Sequence, residues 1–368
     1  MKSNIESLPH GHPSTFARSL GVIELTSGVD ALYLSGRAAL PKEFLAQLDA
    51  LRHIADDEEG PVSLTLSGLE MQMQPRKWGL YRYCVDHPYA RFGFTPRDKI
   101  PAVRVQPRAE FLHGAGVEEV VEWARHLLES ECGSVLLEVS RIDLFADFQG
   151  WNISGDDRHE FVSRADARNL FETAQEFNGL KIGKRESGTI SARLYDKTIQ
   201  SAKTGTAYWK ELWGDAYDPA LPVMRVEFEL HRDVLRQFGV STPDEVLGAS
   251  GSMWHYLTHE WLTHRVPTDD QTKSRWPLSE PWRAVQRARI AGGALGIERT
   301  YGAKRAGVLA NLMPSLVGQL ANFGALTNSE SLIDLIPNLE RELHSYSRAT
   351  GRSMMSRIDE KRRKHGLT

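Results

Sequence analysis

The chain has 368 residues, of which 41% are hydrophobic, and a formal net charge of −3. This length is enough for two or three domains or for one large α/β body, and 41% hydrophobic residues can fill a core. The near-neutral charge argues against a protein that coats nucleic acid by bulk charge. No segment approaches the roughly 20 apolar residues of a membrane span. The first residues lack a signal-peptide pattern, and the two isolated cysteines predict no disulfide framework or cysteine zinc site. We therefore expect a folded, cytoplasmic protein.

Charge is distributed unevenly along the chain. From Asp269 to Thr368 there are 16 basic and 10 acidic residues, a net of +6, whereas the remaining 29 basic and 38 acidic residues give −9. A broad phosphate-binding surface is therefore predicted in the C-terminal quarter. The acidic remainder suits a metal site beside a DNA-binding module.

Strand-like runs alternate with helices over the first part of the chain. Strands are predicted for GVIEL, ALYLSG, VSLTLSG, LYRYCVD, AVRVQP and SVLLEVSRIDLFADF. Helices are predicted for PKEFLAQLDALRHI and GVEEVVEWARHLLES, because apolar residues recur in them at helical spacing. This alternation indicates helices packed on a sheet.

The segment that follows Trp151 and ends at Arg232 is predicted to contain one helix and three strands. The helix is expected near ADARNLFETAQEF, and LKIGKR and GTISARLYDK read as a hairpin around the turn ESG. VMRVEFELHR predicts the third strand. Beyond Arg232 the strand signals vanish, and the remaining runs are helical.

We predict an α+β fold, in which an antiparallel-rich sheet with packed helices is followed by a helical C-terminal domain. The linker is placed at RVPTDDQTKSRWPLSEP, because polar and turn-forming residues dominate this stretch. The expected units are a disordered start at residues 1–18, an α+β catalytic region at 19–265, a linker at 266–280 and a basic helical domain at 281–368.

Three of the predicted strands have one apolar and one polar face. Successive side chains of a strand point to opposite faces. The polar faces carry Arg141, Asp143, Phe145 and Asp147; then Thr189, Ser191, Arg193, Tyr195 and Lys197; then Arg225, Glu227, Glu229 and His231. If the strands share a sheet, the pooled carboxylates could hold a hard divalent cation. The alternative is the ordinary charged outer face of half-buried antiparallel strands.

Tyr195 is a candidate nucleophile on this polar face. A phenol has a pKa near 10, so forming the phenolate at neutral pH costs about 4 kcal/mol, which a nearby cation can supply. Lys197 would add positive charge near a phosphate, and Arg193 could position it through two hydrogen bonds. The chemistry predicted is attack on a DNA phosphodiester, which leaves a 3′-hydroxyl and a covalent phosphotyrosine. The alternative is that Tyr195 only packs.

The runs RIDLFADF, KIGKRESGTISARLYDK and MRVEFELHR, in this order, resemble the plasmid and phage rolling-circle replication initiation factor family, also called the trans-acting Rep type. The family pattern consists of an arginine-x-aspartate strand, an IG-S/K-R strand, an R-x-Y-D/N-K strand with the catalytic tyrosine and an R-x-E-x-E strand. All four motifs occur here. The match covers about residues 75 to 240, and the segment VRVQPRAEFLHGAG departs from many members.

The resemblance implies nicking of one strand at a double-strand origin, with a 5′-phosphotyrosine link through Tyr195. It also implies a Mg²⁺ or Mn²⁺ ion held by Asp143, Asp147 and Glu227, with Glu229 as a further ligand. The free 3′ end would prime a host polymerase, a host helicase is a further expected partner, and the protein would act as a homodimer. A conjugative relaxase of the same fold and a non-catalytic DNA-binding regulator remain the alternatives.

DNA contacts are predicted from arginines in two parts of the chain. Arg141, Arg185 and Arg225 belong to the strands that carry the motifs, whereas Arg283 and Arg287 recur at near-helical spacing in the C-terminal part. For this second group a solvated basic helix face is the alternative.

Overall fold

The structure is a computed structural model, and it describes residues 21–173, 176–184, 190–290, 316–317 and 320–364. Its strands are β1 Ile23–Arg37, β2 Val62–Leu66, β3 Leu69–Gln74, β4 Tyr83–Asp86, β5 Ala90–Phe94, β6 Val103–Pro107, β7 Leu136–Gln149, β8 Phe161–Ser163, β9 Arg168–Thr173, β10 Glu176–Ile182, β11 Ile190–Asp196, β12 Met224–His231 and β13 Leu262–His264. The predicted disordered start at 1–18 lies outside the described residues.

Helices cover the sheet and follow it in sequence. They are α1 Lys42–Asp57, α2 Ala109–Ala115, α3 Val117–Cys132, α4 Lys197–Thr204, α5 Trp209–Trp213, α6 Arg232–Gln237, α7 Pro243–Tyr256, α8 Glu280–Arg287, α9 Leu332–Thr350 and α10 Met354–Lys364. A π-helical turn, Leu257–Trp261, extends α7. Within the described residues, no helix is both long enough and apolar enough to cross a membrane.

Eleven strands form one antiparallel sheet in the order β2-β3-β4-β5-β6-β1-β7-β12-β11-β10-β9, and β8 pairs with β13 separately. The long strands β1 and β7 pair along almost their whole length and join the two halves of the sheet. The α+β prediction, with its antiparallel-rich sheet and helical C-terminal part, is confirmed.

One face of the sheet carries the hydrophobic core. Leu144, Val226 and Phe228 are fully buried on this face, and the rings of Phe228 and Trp254 of α7 meet edge to face with centroids 5.3 Å apart. Helices α1 and α3 bury their apolar stripes in the same core. The opposite face of β7, β12 and β11 therefore remains for polar side chains.

Several expected elements differ in the structure. GVIEL and ALYLSG belong to the single strand β1, and the helix expected near ADARNLFETAQEF is replaced by the hairpin strands β9 and β10, which pair antiparallel. Apolar residues at short range fit either period there, so tertiary pairing decides the outcome. The short strand β13 lies after Arg232, where no strand was expected, and the predicted turn ESG lies outside the described residues.

Helix α8 belongs to the same core as the sheet. Its Trp282 is fully buried, stacks edge-on against Trp151 and Phe161, and donates a hydrogen bond to the Thr258 carbonyl over 2.9 Å. Residues 281–287 thus pack with the α+β body, although they were expected to begin the separate helical domain at 281–368. The division of the chain into domains stays a prediction.

Candidate active site

The three predicted polar strands are neighbours in the sheet, in the order β7, β12 and β11. Their register aligns rows of side chains across the strands. The rows are Asp147, Arg225 and Tyr195; Phe145, Glu227 and Arg193; and Asp143, Glu229 and Ser191. Because directly paired residues point to the same side of a sheet, these side chains share one face.

A hydrogen bond between Tyr195 and Glu227 lies at the centre of this face. The Tyr195 hydroxyl donates to Glu227 Oε2 over 2.9 Å. Tyr195 is partly exposed, whereas Glu227 is buried. Burial, and then the charge of Glu227, raise the pKa of Tyr195 well above its ordinary value. The phenol is therefore held protonated beside a carboxylate that lies within reach of its proton.

Two arginines cover three buried carboxylates beside the tyrosine. Arg141 donates to Asp143 through Nε at 2.7 Å and Nη2 at 2.5 Å, and this Nη2 lies 2.7 Å from Glu229 Oε2. Arg193 Nη2 contacts Glu227 Oε1 and lies 3.2 Å from Asp143 Oδ2. The same nitrogen is 3.8 Å from Glu229 Oε2. Each carboxylate is 1% exposed and the Arg193 side chain 30%, so an approaching phosphate meets guanidinium groups first.

The pKa of Asp143 reflects crowding of negative charge in this cluster. Burial raises the pKa above its ordinary value, the hydrogen bond from Arg141 opposes this rise, and the charge of Glu227 adds to it. The carboxylates are therefore tolerated only because guanidinium groups are bound to them. Removal of one of these guanidinium groups should leave buried carboxylates without a positive charge to balance them.

Arg225 anchors a second ion cluster beneath the tyrosine. Its Nε and Nη2 donate to Asp147 over 2.7 and 2.8 Å, and its Nη1 lies 2.5 Å from Asp30 Oδ1. The guanidinium carbon lies 4.0 Å from the ring centroids of both Phe145 and Trp209. Arg225 is 0% exposed, so it does not reach DNA in this arrangement. Instead of the predicted DNA contact, it joins β1, β7 and β12 behind Tyr195.

The sequence pattern predicts that Lys197 belongs to the strand of Tyr195. In the structure Lys197 is instead the first residue of α4. Asp196 is the N-cap of this helix, and its side chain accepts a hydrogen bond from the third backbone N–H of the helix over 3.0 Å. The Lys197 ammonium is 4.3 Å from the Trp209 ring centroid and 5.9 Å from that of Tyr195. Burial, and then the charge of Arg225, lower the pKa of Lys197 to about 8. Lys197 therefore supplies a buried positive charge beside the tyrosine at neutral pH.

The predicted metal ligands do not fit a metal ion in this arrangement. Within the described ranges, no three His, Cys, Asp or Glu side chains are placed to hold one. Arg193 Nη2 occupies the position between Asp143 and Glu227. Asp147 is fully buried and engaged by Arg225, apart from the other carboxylates. A cation could bind the cluster only after the Arg193 guanidinium had moved.

The remaining predicted DNA contacts lie at different places. Arg141 is at the site with 16% of its side chain exposed, whereas Arg185 lies outside the described residues. Arg283 and Arg287 extend from α8 with most of their side chains exposed, and each lies within 4 Å of a carboxylate oxygen of Glu280. A DNA contact by these two arginines stays a prediction.

Several residues of the site were not predicted from the sequence. They are Asp30, His113, Gly179, Trp209 and Trp213. Trp213 Nε1 donates to Asp147 over 2.8 Å, and the two tryptophans four residues apart could have indicated an ordered helix face. Burial acts to raise the pKa of Asp30, but the charge of Arg225 and the hydrogen bond with His113 outweigh it and hold the pKa well below its ordinary value.

Comparison with family models gives no match, and no curated protein matches the chain. Among solved structures, the chain is similar to a rolling circle replication initiator protein from Geobacillus stearothermophilus. The two are 18% identical, the likeness covers 74% of this chain and 100% of that chain, and the TM-score is 0.43. A likeness at this level establishes neither a family nor an activity for this chain.

Proposed function

We propose that this chain is a DNA-nicking enzyme that initiates rolling-circle replication through Tyr195. The observation that carries the proposal is the hydrogen bond from the Tyr195 hydroxyl to buried Glu227, at a polar face where Arg193 is exposed toward solvent. A buried tyrosine hydroxyl finds an acceptor in any case, so the distinguishing feature is that this acceptor lies beside an arginine that can bind a phosphate. The four ordered motifs around these residues support the replication role.

The proposed reaction is a phosphoryl transfer to the phenol. The Tyr195 oxygen attacks the phosphorus of a phosphodiester, its proton passes to Glu227 Oε2, and the bond from phosphorus to the 3′ oxygen breaks. The departing 3′ oxygen takes a proton from solvent and becomes a hydroxyl. The 5′ side of the strand stays attached to the protein as a phosphotyrosine.

The high pKa of Tyr195 favours proton transfer during the attack over prior formation of a phenolate. Burial and Glu227 both disfavour the charged phenol in the free protein. Once a phosphate is bound, Arg193 and Lys197 can neutralise the charge that develops on the phosphoryl oxygens. A requirement for Mg²⁺ or Mn²⁺ stays a prediction, and an ion could bind Asp143 and Glu227 only after the Arg193 guanidinium had moved.

The test is covalent capture of DNA. The full chain is incubated with a randomised single-stranded oligonucleotide pool and with supercoiled plasmid, in Mn²⁺ and in EDTA, and adducts are separated on denaturing gels. We expect an adduct whose modified peptide contains Tyr195, and we expect Tyr195→Phe to abolish it. Tyr217→Phe is the matched control, because Tyr217 is a partly exposed tyrosine of the neighbouring aromatic segment.

Two outcomes would contradict the proposal. An unchanged adduct in Tyr195→Phe would show that another group is the nucleophile. Absence of any adduct, with DNA binding retained, would favour a DNA-binding regulator. Where an adduct does form, the captured sequence distinguishes a replication origin from a transfer origin, since a conjugative relaxase would use the same residues.

A further inference from the structure

A strip of alternating arginines and aromatic rings leads away from Tyr195 across the polar face of the sheet. Arg141 is paired with Tyr33 of β1 in the register, and its guanidinium carbon lies 5.0 Å from the Tyr33 ring centroid. On β6, the other neighbour of β1, Arg104 has its guanidinium carbon 5.4 Å from the centroid of the same Tyr33 ring. Arg104 also lies 4.2 Å from the Trp78 ring centroid. We call this set the arginine–aromatic track; its members are Arg193, Arg141, Tyr33, Arg104 and Trp78.

The track is continuous with the candidate active site. Four members lie on β11, β7, β1 and β6, which follow the sheet order β11-β12-β7-β1-β6, and Trp78 contacts Arg104 from the segment between β3 and β4. Four steps between strands span about 19 Å at the usual spacing of about 4.8 Å. The track is therefore long enough for a few nucleotides of an extended strand that begins at Tyr195.

Arg104 differs from Arg141 and Arg193 because it has no ion-pair partner among the described residues. In the described part of the chain its guanidinium has aromatic neighbours and no carboxylate within ion-pair distance. Burial, together with the positive charge of Arg141, lowers the pKa of Arg104. An arginine that is partly desolvated beside another arginine, without an acid, is suited to an anionic ligand.

Further positive charge lies beside the same end of the track. Ser35, which is paired with Arg104 in the register, accepts a hydrogen bond from Arg232. Arg232 lines a cavity of about 670 Å³ whose other charged residues are Arg37, Arg97, Lys99 and Asp98. Four basic residues and one acidic residue give this cavity a net positive charge. The broad phosphate-binding surface was predicted elsewhere, in the C-terminal quarter of the chain.

We propose that the arginine–aromatic track binds a single DNA strand adjoining the position of the nick. This inference rests on the proposed function and specifies where the substrate lies. The guanidinium groups can contact phosphates, whereas the partly exposed rings of Tyr33 and Trp78 offer faces on which unpaired bases stack. The two ring centroids lie within about 10 Å of one another, because both are close to Arg104. Stacking requires unpaired bases, so the track fits a single strand and not a duplex.

The experiment measures binding separately from nicking. The probe is a fluorescein-labelled oligothymidine strand long enough to cover the track, and its anisotropy is followed with the full chain carrying Tyr195→Phe. Adding Trp78→Leu should weaken binding about tenfold or more. Adding Arg104→Gln should lower the slope of log Kd against log salt by about 0.7, the value for one phosphate contact on a single strand.

Matched variants keep the outcome interpretable. Arg125→Gln removes a partly exposed arginine of α3, which packs on the apolar face of the sheet, and it should change neither the affinity nor the slope. Arg104→Lys should retain the salt slope while losing affinity through the lost stacking. Thermal unfolding shows whether each variant has folded.

Unchanged affinity and salt slope in folded Trp78→Leu and Arg104→Gln variants would overturn the proposal that the track binds a single DNA strand. This result is distinct from failure of the proposed function. If Tyr195→Phe still forms an adduct while the track variants lose affinity, the track stands and the nucleophile assignment fails. If Tyr195→Phe forms no adduct and the track variants bind normally, the nucleophile assignment stands and the track fails.

Discussion

Gly179 of β10 lies directly opposite Tyr195 of β11, and its missing side chain leaves room for the tyrosine. A Cβ at Gly179 would lie 3.0 Å from both Tyr195 Cβ and the Leu194 carbonyl oxygen. Both contacts are shorter than ordinary van der Waals packing allows, and one of them is to backbone. Gly179 therefore helps to determine the position of the phenol without touching its reactive atom.

Gly179→Ala should slow adduct formation while leaving the fold intact. The added methyl group displaces Tyr195 by a few tenths of an ångström, and displacements of this kind cost roughly three- to tenfold in rate. The measurement is the rate of covalent adduct formation beside the thermal unfolding midpoint. Gly248→Ala is the control, because a Cβ there meets no atom within 4 Å. An unchanged rate in Gly179→Ala would show that the close approach has no bearing on the phenol.

Glu227→Gln should reduce adduct formation by about 100-fold or more, because the amide cannot accept the phenol proton. The substitution keeps the size of the side chain, so DNA binding should change little. Rates are measured in single-turnover reactions across pH, and the lost activity should recover partly at high pH, where phenolate forms without a base. A uniform loss at every pH, with weakened DNA binding, would indicate a structural role for Glu227.

Lys197→Met should stabilise the protein at pH 7 while lowering its nicking rate. Lys197 is 4% exposed, and the lowering of its pKa from 10.5 to about 8 corresponds to roughly 3 kcal/mol of penalty for the buried charge. The folded chain loses this proton at lower pH than the unfolded chain, so wild-type stability rises between pH 8 and 10.5. The advantage of Lys197→Met should be largest below pH 8 and should disappear toward pH 10.5.

Urea unfolding at several pH values measures this difference, with Lys210→Met as the control for an exposed lysine of the neighbouring helix. A loss of stability in Lys197→Met at pH 7 would show that the contacts of the ammonium with Trp209 and with nearby carboxylates exceed its desolvation cost.

Arg193→Ala should bind Mn²⁺ more tightly than the wild-type chain. Arg193 Nη2 lies among Asp143, Glu227 and Glu229, so a divalent ion must compete with the guanidinium for the same oxygens. Calorimetric titration with Mn²⁺ measures both affinities, and Asp143→Asn in the Arg193→Ala chain should abolish the gain. If neither chain binds Mn²⁺ in the presence or absence of DNA, the predicted metal requirement is wrong.

The sequence predicts the polar strands of the site better than what lies behind them. Alternation along a strand is a local property, so the shared face of Arg193 and Tyr195 follows once the strands are recognised. The contact of Arg225 with Asp30 has no such local signal, because the two residues are 195 positions apart and come together through the pairing of both β1 and β12 with β7. The helix wrongly expected near ADARNLFETAQEF shows the same limit, since pairing with β11 decides the conformation of β10.

Lys197 illustrates a different limit. The strand pattern placed it on the polar face with Tyr195, but Asp196 ends the strand by capping α4. The lysine still reaches the tyrosine, now from the first turn of a helix. The backbone conformation that brings the lysine near the tyrosine was therefore not predicted from the sequence.

The buried bond from Arg225 to Asp30 also bears on when the candidate site is complete during synthesis. Asp30 leaves the ribosome early, whereas Arg225 and Glu227 follow only after more than half of the chain has been made. Until then Tyr195 has neither its proton acceptor nor the ion cluster behind it. A nascent chain or a fragment that ends between Tyr195 and Arg225 would thus carry the tyrosine without Glu227 and without the ion pair behind it.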